Sequence, residues 1–216
     1  MKVISNKYDK TKIGQLPRVL FEGRIIVVIS EHEAEAAVDY LLSQDILGID
    51  TETRPSFKKG RVYKVALLQV STHDTCFLFR LNRTGITDAI ARLLEDCSIP
   101  KIGLSLQDDL RVLNSRKSFT PGLFIELQKE IKELGVQDMS LQKIYANLFG
   151  EKIAKTQQLS NWEADSLSSA QQKYAATDAW ACIKIHEEIN RLLQTGDYVL
   201  EKVPEPEPIM KEEVCS

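Results

Sequence analysis

The order of segments along the chain predicts an α/β fold with a mixed central sheet flanked by helices. Short runs of β-forming residues alternate with segments of helical periodicity as far as residue 127, and helical patterns alone follow. The chain has 216 residues, 43% of them hydrophobic and 27% charged, which suits one domain with a substantial core. Strands and helices that mix in this way favour a sheet covered by helices.

Each segment carries a local signal for its class. β-branched and aromatic residues predict strands over 24–30, 46–53, 64–72, 75–81, 100–105 and 122–127. Apolar residues at helical spacing predict helices over 31–44, 87–96, 106–116, 128–134, 140–149 and from 168 onward. Thr87 is a predicted N-cap, and Ser168 with Gln171 fits a capping box.

Composition divides the chain into three parts. We expect a loosely held lead-in over 1–21, one folded domain over 22–197, and an acidic, disordered tail over 198–216 in which proline alternates with glutamate. The tail carries the entire net charge of −3, so the rest of the chain is neutral. A neutral body neither indicates nor excludes a nucleic-acid partner, because an enzyme needs only local positive charge.

The expected location is the cytoplasm, with no membrane partner. The N-terminal residues lack the apolar core of a signal peptide, and the strongly apolar run over 25–29 is too short to span a membrane. The four cysteines form no CxxC pair, which favours reduced thiols, most of them buried. The three histidines are isolated, which argues against a zinc site.

Three segments place carboxylates where strands and helices end. Asp50 and Glu52 are two apart on a strand and share a face. Asp109 lies in the first turn of a helix, and Tyr174 and Asp178 are four apart on another helix. Each has a simpler interpretation: a solvated strand end, an acid that suits the helix dipole, and a Tyr–Asp hydrogen bond along the helix.

Together these acids indicate a metal site rather than three unrelated features. Carboxylate oxygens without histidine or cysteine favour the hard cations Mg²⁺ and Mn²⁺. Two such ions about 4 Å apart activate a water and stabilise the leaving oxygen of a phosphodiester. Four acids would suit two divalent ions and a phosphate.

Three motifs in order carry a resemblance to a known family. They are Asp50-x-Glu52, Asp109 within "GLSLQDDLRVL", and Tyr174-x-x-x-Asp178 within "LSNWEADSLSSAQQKYAATDAWA". Over about residues 22–195 the chain resembles the DEDD superfamily of 3′–5′ exonucleases. It is most similar to the tyrosine subclass, which includes ribonuclease D and the Werner-syndrome-type exonuclease domain. The resemblance implies a ribonuclease-H-like (DnaQ-like exonuclease) fold.

The resemblance also implies roles for these residues. Asp50, Glu52 and Asp178 would hold one divalent ion, Asp50 would also bridge to a second, and Asp109 would act through metal-bound water. Tyr174 would orient the attacking water at the 3′ end of DNA or RNA, and nucleoside 5′-monophosphates would be released. Asp109 is preferred to its neighbour Asp108 because "DLRVL" matches the ribonuclease D pattern. Glu126 stands where relatives often have Asp, and we interpret it as peripheral.

A basic segment follows the first motif closely. Its cations, which could contact substrate phosphates, are Arg54, Lys58, Lys59, Arg61 and Lys64. Phe57 and Tyr63 in the same segment could stack on a base. The alternative is a solvated loop with no part in binding.

Two other functions remain open at this point. A catalytically weak DEDD-like domain would bind nucleic acid without cutting it. A different Mg²⁺-dependent phosphohydrolase would use an aspartate nucleophile and form an aspartyl-phosphate, but the D-x-E pair and the Tyr-x-x-x-Asp helix have no role in that chemistry. No stable protein partner is inferred.

Overall fold

The computed structural model describes residues 1–203 and shows the predicted mixed sheet. The strands in this part of the chain are β1 (Lys2–Ser5), β2 (Arg24–Val28), β3 (Leu47–Thr53), β4 (Val65–Ser71), β5 (Thr75–Phe79), β6 (Lys101–Gly103), β7 (Phe124–Glu126) and β8 (Tyr198–Glu201). Six of them form one sheet in the order β2–β5–β4–β3–β6–β7. β4 is antiparallel to β3 and β5, and the other neighbours in this sheet are parallel.

Helices cover both faces of this sheet. They are α1 (Lys10–Ile13), α2 (Glu31–Leu41), α3 (Leu81–Thr84), α4 (Asp88–Glu95), α5 (Leu106–Asn114), α6 (Leu127–Glu133), α7 (Leu141–Phe149) and α8 (Ser169–Thr195). The two cap predictions are confirmed, since the Thr87 hydroxyl accepts from the Ile90 N–H and Ser168 forms a capping box with Gln171. The predicted fold class is therefore confirmed, and so are the main strands and helices.

Alternate residues of the central strands face two different cores. Leu68 and Val70 of β4 pack with the apolar sides of α2 and α4. Leu67 of β4 and Leu78 of β5 pack with Ala175 and its neighbours on α8. The period-2 alternation of a strand explains this division, because successive side chains point to opposite faces. α8 thus covers the middle of one face, together with Trp162 and Leu167.

Small residues allow α8 to lie directly on β3. A Cβ atom added to Gly48 would stand 2.0 Å from the Ala179 carbonyl oxygen, so only glycine fits there. Ala175, Ala176 and Ala179 are fully buried on the helix side. The side chains on the part of α8 that packs against β3 are therefore brought within reach of the acids on that strand.

The two ends of the described chain differ from the sequence-based expectation. β1, in the predicted loose lead-in, pairs in parallel with β8, which lies in the predicted disordered tail. Ile4 of β1 is buried in a core with residues of α6, α7 and α8. Each strand has only four residues, and the pairing joins distant parts of the chain, so local pattern does not reveal it. The rest of the tail, from residue 204, lies outside the described residues.

Two further properties bear on location. No helix within residues 1–203 combines the length and apolar character needed to cross a membrane. Cys76, Cys97 and Cys182 are free thiols, and Cys97 is exposed whereas the other two are buried. Cys215 lies outside the described part of the chain.

Candidate active site

β3 delivers the first two acids of the site. Asp50 and Glu52 lie opposite Gln69 and Leu67 of β4, and these four side chains share the face that α8 covers. The β3–β4 register shifts between Glu52 and Thr53, so the regular pairing ends directly after the second acid. Glu52 therefore stands directly before an irregularity in the β3–β4 pairing, with Asp50 two residues earlier on the same face.

α8 delivers the third acid to the same place. One carboxylate oxygen from each of Asp50, Glu52 and Asp178 lies within 4.8 Å of the other two. Glu52 and Asp178 are buried and Asp50 is partly buried. Because α8 is packed against β3 by small residues, this convergence follows from the backbone and not from long, mobile side chains.

α5 brings Asp109 to the edge of this group. Its carboxylate accepts a hydrogen bond from the hydroxyl of Thr51, which lies between the two acids of β3. Asp108 instead points to solvent and pairs with Arg111. The structure thus turns Asp109 inward and leaves Asp108 outside. We refer to Asp50, Glu52, Asp109 and Asp178 together as the acidic centre.

Glu126 fixes the start of α5 and is not simply peripheral. Its two carboxylate oxygens accept the backbone N–H groups of Ser105 and Leu106, at 3.0 and 2.8 Å. Ser105 has a φ of 63°, a left-handed conformation that is uncommon outside glycine. The Glu126 carboxylate therefore holds a strained turn from which Asp109 projects one turn later.

Burial and mutual repulsion make the acidic centre hard to ionise. Burial, followed by the charges of the other three acids, raises the pKa of Asp50 well above its usual range. The pKa of Glu52 rises to about 9, for the same reason. Burial raises the pKa of Asp178 to about 7 and that of Asp109 to about 6, with the hydrogen bonds from Tyr174 and Thr51 opposing the rise.

These properties fit a divalent cation. Asp50, Glu52 and Asp178 are the three side chains whose ligand atoms converge here, and their carboxylate oxygens form the kind of ligand set that Mg²⁺ and Mn²⁺ prefer. Acids that raise one another's pKa become stable as anions only when positive charge is placed between them. Lys155 lowers the pKa of Asp178, but its side chain is exposed and belongs to the rim of the site.

Tyr174 lies one helical turn before Asp178 and is buried. Its phenol is hydrogen-bonded to the Asp178 carboxyl, and its ring packs against Trp162 at a centroid distance of 6.1 Å. Burial, together with the nearby acids, raises the pKa of the phenol, so Tyr174 keeps its proton at neutral pH. It can therefore donate a hydrogen bond but cannot accept a proton as a general base.

A cleft of about 350 Å³ opens onto the acidic centre. Tyr174 and three of the acids line its floor, and Leu104, Met139 and Leu141 line an apolar side. Lys155 is on the rim. The sequence predicted no role for Lys155, because nothing in its local pattern shows that it faces Asp178.

The basic segment forms a second cleft of about 430 Å³. We call residues 54–64 the basic loop. Arg54, Lys58 and Arg61 line this cleft, whereas Lys59 lines neither cleft. The guanidinium groups of Arg54 and Arg61 lie 4.8 and 4.7 Å from the centroid of the Tyr63 ring. Tyr63 therefore organises two cations, and Phe57, with 84% of its surface exposed, is the aromatic side chain free to meet a ligand.

A mixed six-stranded sheet with an acidic centre where β3 meets α8 defines a ribonuclease-H-like domain of the metal-dependent kind. The family model described as 3′–5′ exonuclease matches residues 25–194. The chain belongs to this 3′–5′ exonuclease family, as the sequence motifs predict.

Individual relatives agree with this assignment. The chain is 28% identical to the bifunctional 3′–5′ exonuclease/ATP-dependent helicase WRN of Mus musculus over 93% of its own length, but it spans only 15% of that protein. The crystal structure of the Aedes aegypti Nibbler EXO domain superposes with a TM-score of 0.73 at 20% identity, covering 82% of this chain and 92% of the other. Trypanosoma brucei RNase D, in complex with RNA U12, superposes with a TM-score of 0.67 at 18% identity, covering 78% and 63%. These structures confirm the ribonuclease-H-like fold.

Proposed function

We propose that the chain hydrolyses phosphodiester bonds from the 3′ end of DNA or RNA and releases nucleoside 5′-monophosphates. The observation that carries this proposal is the convergence of Asp50, Glu52 and Asp178 within 4.8 Å at the base of an open cleft. Membership of the 3′–5′ exonuclease family supports the direction of cleavage. The complete set of motif residues argues against a domain that only binds.

The acidic centre would hold two divalent ions, Mg²⁺ or Mn²⁺. Asp50, Glu52 and Asp178 would bind one of them, while Asp109 and a shared Asp50 would serve the second. When bound, such ions supply an activated water and stabilise the charge on the leaving oxygen. The protein's own contribution is to hold four mutually repelling carboxylates in place on β3, α5 and α8, so that little reorganisation is needed.

Tyr174 would position the attacking water. Its phenol keeps its proton at neutral pH and donates it to Asp178, so the phenol oxygen remains to accept a hydrogen bond from the water. An acceptor fixed by a buried ring and by the hydrogen bond to Asp178 restricts the orientations available to a small molecule at that place.

The cleft suits a 3′-terminal nucleotide. The apolar side formed by Leu104, Met139 and Leu141 would pack against the terminal base, and Lys155 would lie beside a phosphate. A pocket with apolar walls and a few convergent polar groups is typical of a small-ligand or cofactor site. Contacts of this kind to base and phosphate carry no preference for a particular sequence.

The basic loop would bind the strand behind the terminal nucleotide. Arg54, Lys58, Lys59 and Arg61 supply positive charge, and exposed Phe57 offers a stacking surface. The RNA complex of the Trypanosoma brucei relative supports a nucleic-acid ligand for this fold.

We propose residues 22–197 as the catalytic unit, supported by the family match over 25–194. The free thiols Cys76, Cys97 and Cys182 support a reducing, cytoplasmic location.

Cleavage of end-labelled substrates tests this function. Single- and double-stranded DNA and RNA labelled at the 5′ end would be incubated with Mg²⁺, with Mn²⁺ and with a chelator. We expect a 3′-to-5′ ladder that requires the metal and disappears in Asp50→Ala and Asp178→Ala. Asp108→Ala removes an exposed acid of the same type and should leave the ladder unchanged.

Three outcomes would reject the proposal. Equal activity in Asp50→Ala and Asp178→Ala would exclude the acidic centre. Binding of labelled strands without cleavage by the wild-type protein, under every metal condition, would instead indicate a domain that only binds nucleic acid. A phosphorylated aspartate after reaction would indicate the aspartate-nucleophile chemistry.

A further inference from the structure

Gln69 is a buried carboxamide in the middle of β4 for which the proposed chemistry has no use. Its side chain has 0% of its surface exposed, and neither Oε1 nor Nε2 has a hydrogen-bond partner among the described residues. Burying an amide without partners is unfavourable, and an apolar side chain of the same volume would avoid that cost. A buried donor of this kind therefore points to a partner that it meets in another state of the site.

The sheet register identifies this partner. Gln69 lies directly opposite Asp50 in the β3–β4 pair. Side chains of directly opposed residues share a face, with Cβ atoms about 4.5–5.5 Å apart, so an amide on a flexible side chain can reach the carboxylate. α8 covers this face, as the close approach of Ala179 to Gly48 shows. Gln69 does not line the cleft and therefore approaches Asp50 from inside the protein.

The neighbouring side chains on β4 and β5 are poor hydrogen-bond partners for Gln69. Leu78 lies opposite Gln69 on the β5 side and is apolar. The hydroxyl of Ser71, two residues along β4, already donates to the Thr72 carbonyl. An ionised carboxylate has several free lone pairs and forms stronger hydrogen bonds than a neutral acceptor. Asp50 is therefore the chemically matched acceptor for the Gln69 amide.

We propose that Gln69 is a positioning residue for Asp50. Its Nε2–H group donates to one oxygen of the ionised Asp50 carboxylate, and this fixes the other oxygen toward the cleft. The inference rests on the proposed function, because it assigns Gln69 to the orientation of a metal ligand. Hydrogen bonds to ligating groups from behind orient those groups, and their loss typically lowers metal affinity or activity by about 10–100-fold.

Gln69→Met tests the role, because it keeps the length and volume of the side chain and removes both polar atoms. Three quantities would be measured: the melting temperature of the metal-free protein, the affinity for Mn²⁺ by calorimetry without nucleic acid, and kcat and KM on a labelled strand. Leu68→Met is the matched control, since Leu68 is equally buried on the same strand but faces the opposite core. Gln69→Leu repeats the test with a second apolar side chain.

The expected result separates stability from metal binding. Metal-free Gln69→Met should melt at the wild-type temperature or above it, while Mn²⁺ affinity and kcat fall about tenfold or more and KM stays constant. Wild-type Mn²⁺ affinity and kcat in either variant would overturn the inference. So would a loss of binding that follows a lowered melting temperature in both variants. If wild-type protein cleaves and Gln69→Met cleaves equally well, only this inference fails. If wild-type protein cleaves nothing, the proposed function fails.

Discussion

The acidic centre and the basic loop adjoin at one point of the chain, but the protein holds them in opposite ways. Glu52 belongs to the acidic centre and Arg54 begins the loop, with a single residue between them. The acids are buried or partly buried and lie on β3, α5 and α8. The cations of the loop are half-exposed or exposed. Arg54 and Arg61 stack on Tyr63, and Arg54 also pairs with Glu163 at 3.3 Å.

This difference separates the residues proposed to cleave the substrate from the residues proposed to bind it. Placing like charges together in a buried site is unfavourable in the metal-free protein, and only a rigid scaffold maintains it. Placing cations on an exposed loop has little effect on folding, and such cations act through a salt-dependent attraction for phosphate. Changes to the acidic centre should therefore alter catalysis and stability in opposite directions, whereas changes to the loop should alter affinity alone.

Glu52→Gln is expected to have the largest effect. Activity should fall by more than about 100-fold, because removal of an outer-shell partner alone already costs about 10–100-fold. The metal-free protein should nevertheless be at least as stable as the wild type at pH 8, since folding no longer has to keep a proton on Glu52 that the unfolded chain releases at this pH. Cleavage assays and thermal melts of the same preparations would show this. A clear loss of stability would mean that Glu52 supports the fold.

The pH dependence of stability sharpens the same contrast. The pKa of Glu52 is about 9 in the folded protein and 4.5 ordinarily, so the folded chain retains a proton that the unfolded chain releases between these values. Stability should therefore be greatest below pH 4.5 for this group and decline as pH rises through 9. The slope for one proton is at most about 1.4 kcal/mol per pH unit.

Metal should reverse this trend, which supplies the control. Divalent ions bind the ionised carboxylates, so the stability that they add should increase with pH. Melting curves from pH 5 to 9, with chelator and with Mn²⁺, would test both directions. Glu52→Gln should show a shallower slope in chelator. A wild-type protein whose metal-free stability rises over this range would contradict the raised pKa of Glu52.

Tyr174→Phe should have the next largest effect and should act on kcat alone. Loss of the phenol removes the hydrogen-bonding group beside Asp178 that would orient the water, and a misplaced reacting group costs up to about 100-fold in rate. Stability should change by only about 1 kcal/mol, the net value of one hydrogen bond. Tyr145→Phe is a matched control, because it removes a buried phenol that interacts with Glu151 in another core. An unchanged kcat in Tyr174→Phe would remove the role in water positioning.

The sequence predicted the acidic centre better than its surroundings, for a physical reason. Asp50 with Glu52 and Tyr174 with Asp178 each lie within one element, where strand or helix geometry fixes which side chains share a face. The convergence of separate elements is not set by local geometry, and it was inferred from the shared chemistry of the acids and from the family resemblance. The fold class and the main strands and helices were likewise predictable from local signals, because alternation, periodicity and caps each extend over a few residues.

What the sequence did not predict depends on contacts between distant segments. β1 and β8 pair across almost the whole chain, and Lys155 meets Asp178 only after folding. Glu126 was interpreted as peripheral because its hydrogen bonds to α5 are not encoded in its own neighbourhood. The suggestion that Tyr63 stacks on a base is less favoured by the structure, since Arg54 and Arg61 already lie against its ring.

Glu126→Ala would test whether the hydrogen bonds of Glu126 at the start of α5 hold Asp109 in position. Loss of a side-chain cap costs about 0.5–2 kcal/mol of stability. Activity should fall about tenfold, because Asp109 lies on the first turn of α5 and small displacements of a catalytic group lower the rate. Ser30→Ala removes the capping box of α2 and should cost similar stability without loss of activity. Equal activity losses in the two variants would show a general effect of destabilisation.

Arg61→Ala is expected to give the smallest effect and to act only through binding. KM for a single strand should rise a few-fold at low salt, while kcat and melting temperature stay constant. If Arg61 contacts one phosphate, the slope of log affinity against log salt should become shallower by about 0.7. Arg92→Ala removes an exposed arginine that pairs with Glu35 and Asp39, and it should leave the slope unchanged. An unchanged slope in Arg61→Ala would make the basic loop a solvated segment, and capture of the strand would then fall to Lys155 and the walls of the cleft.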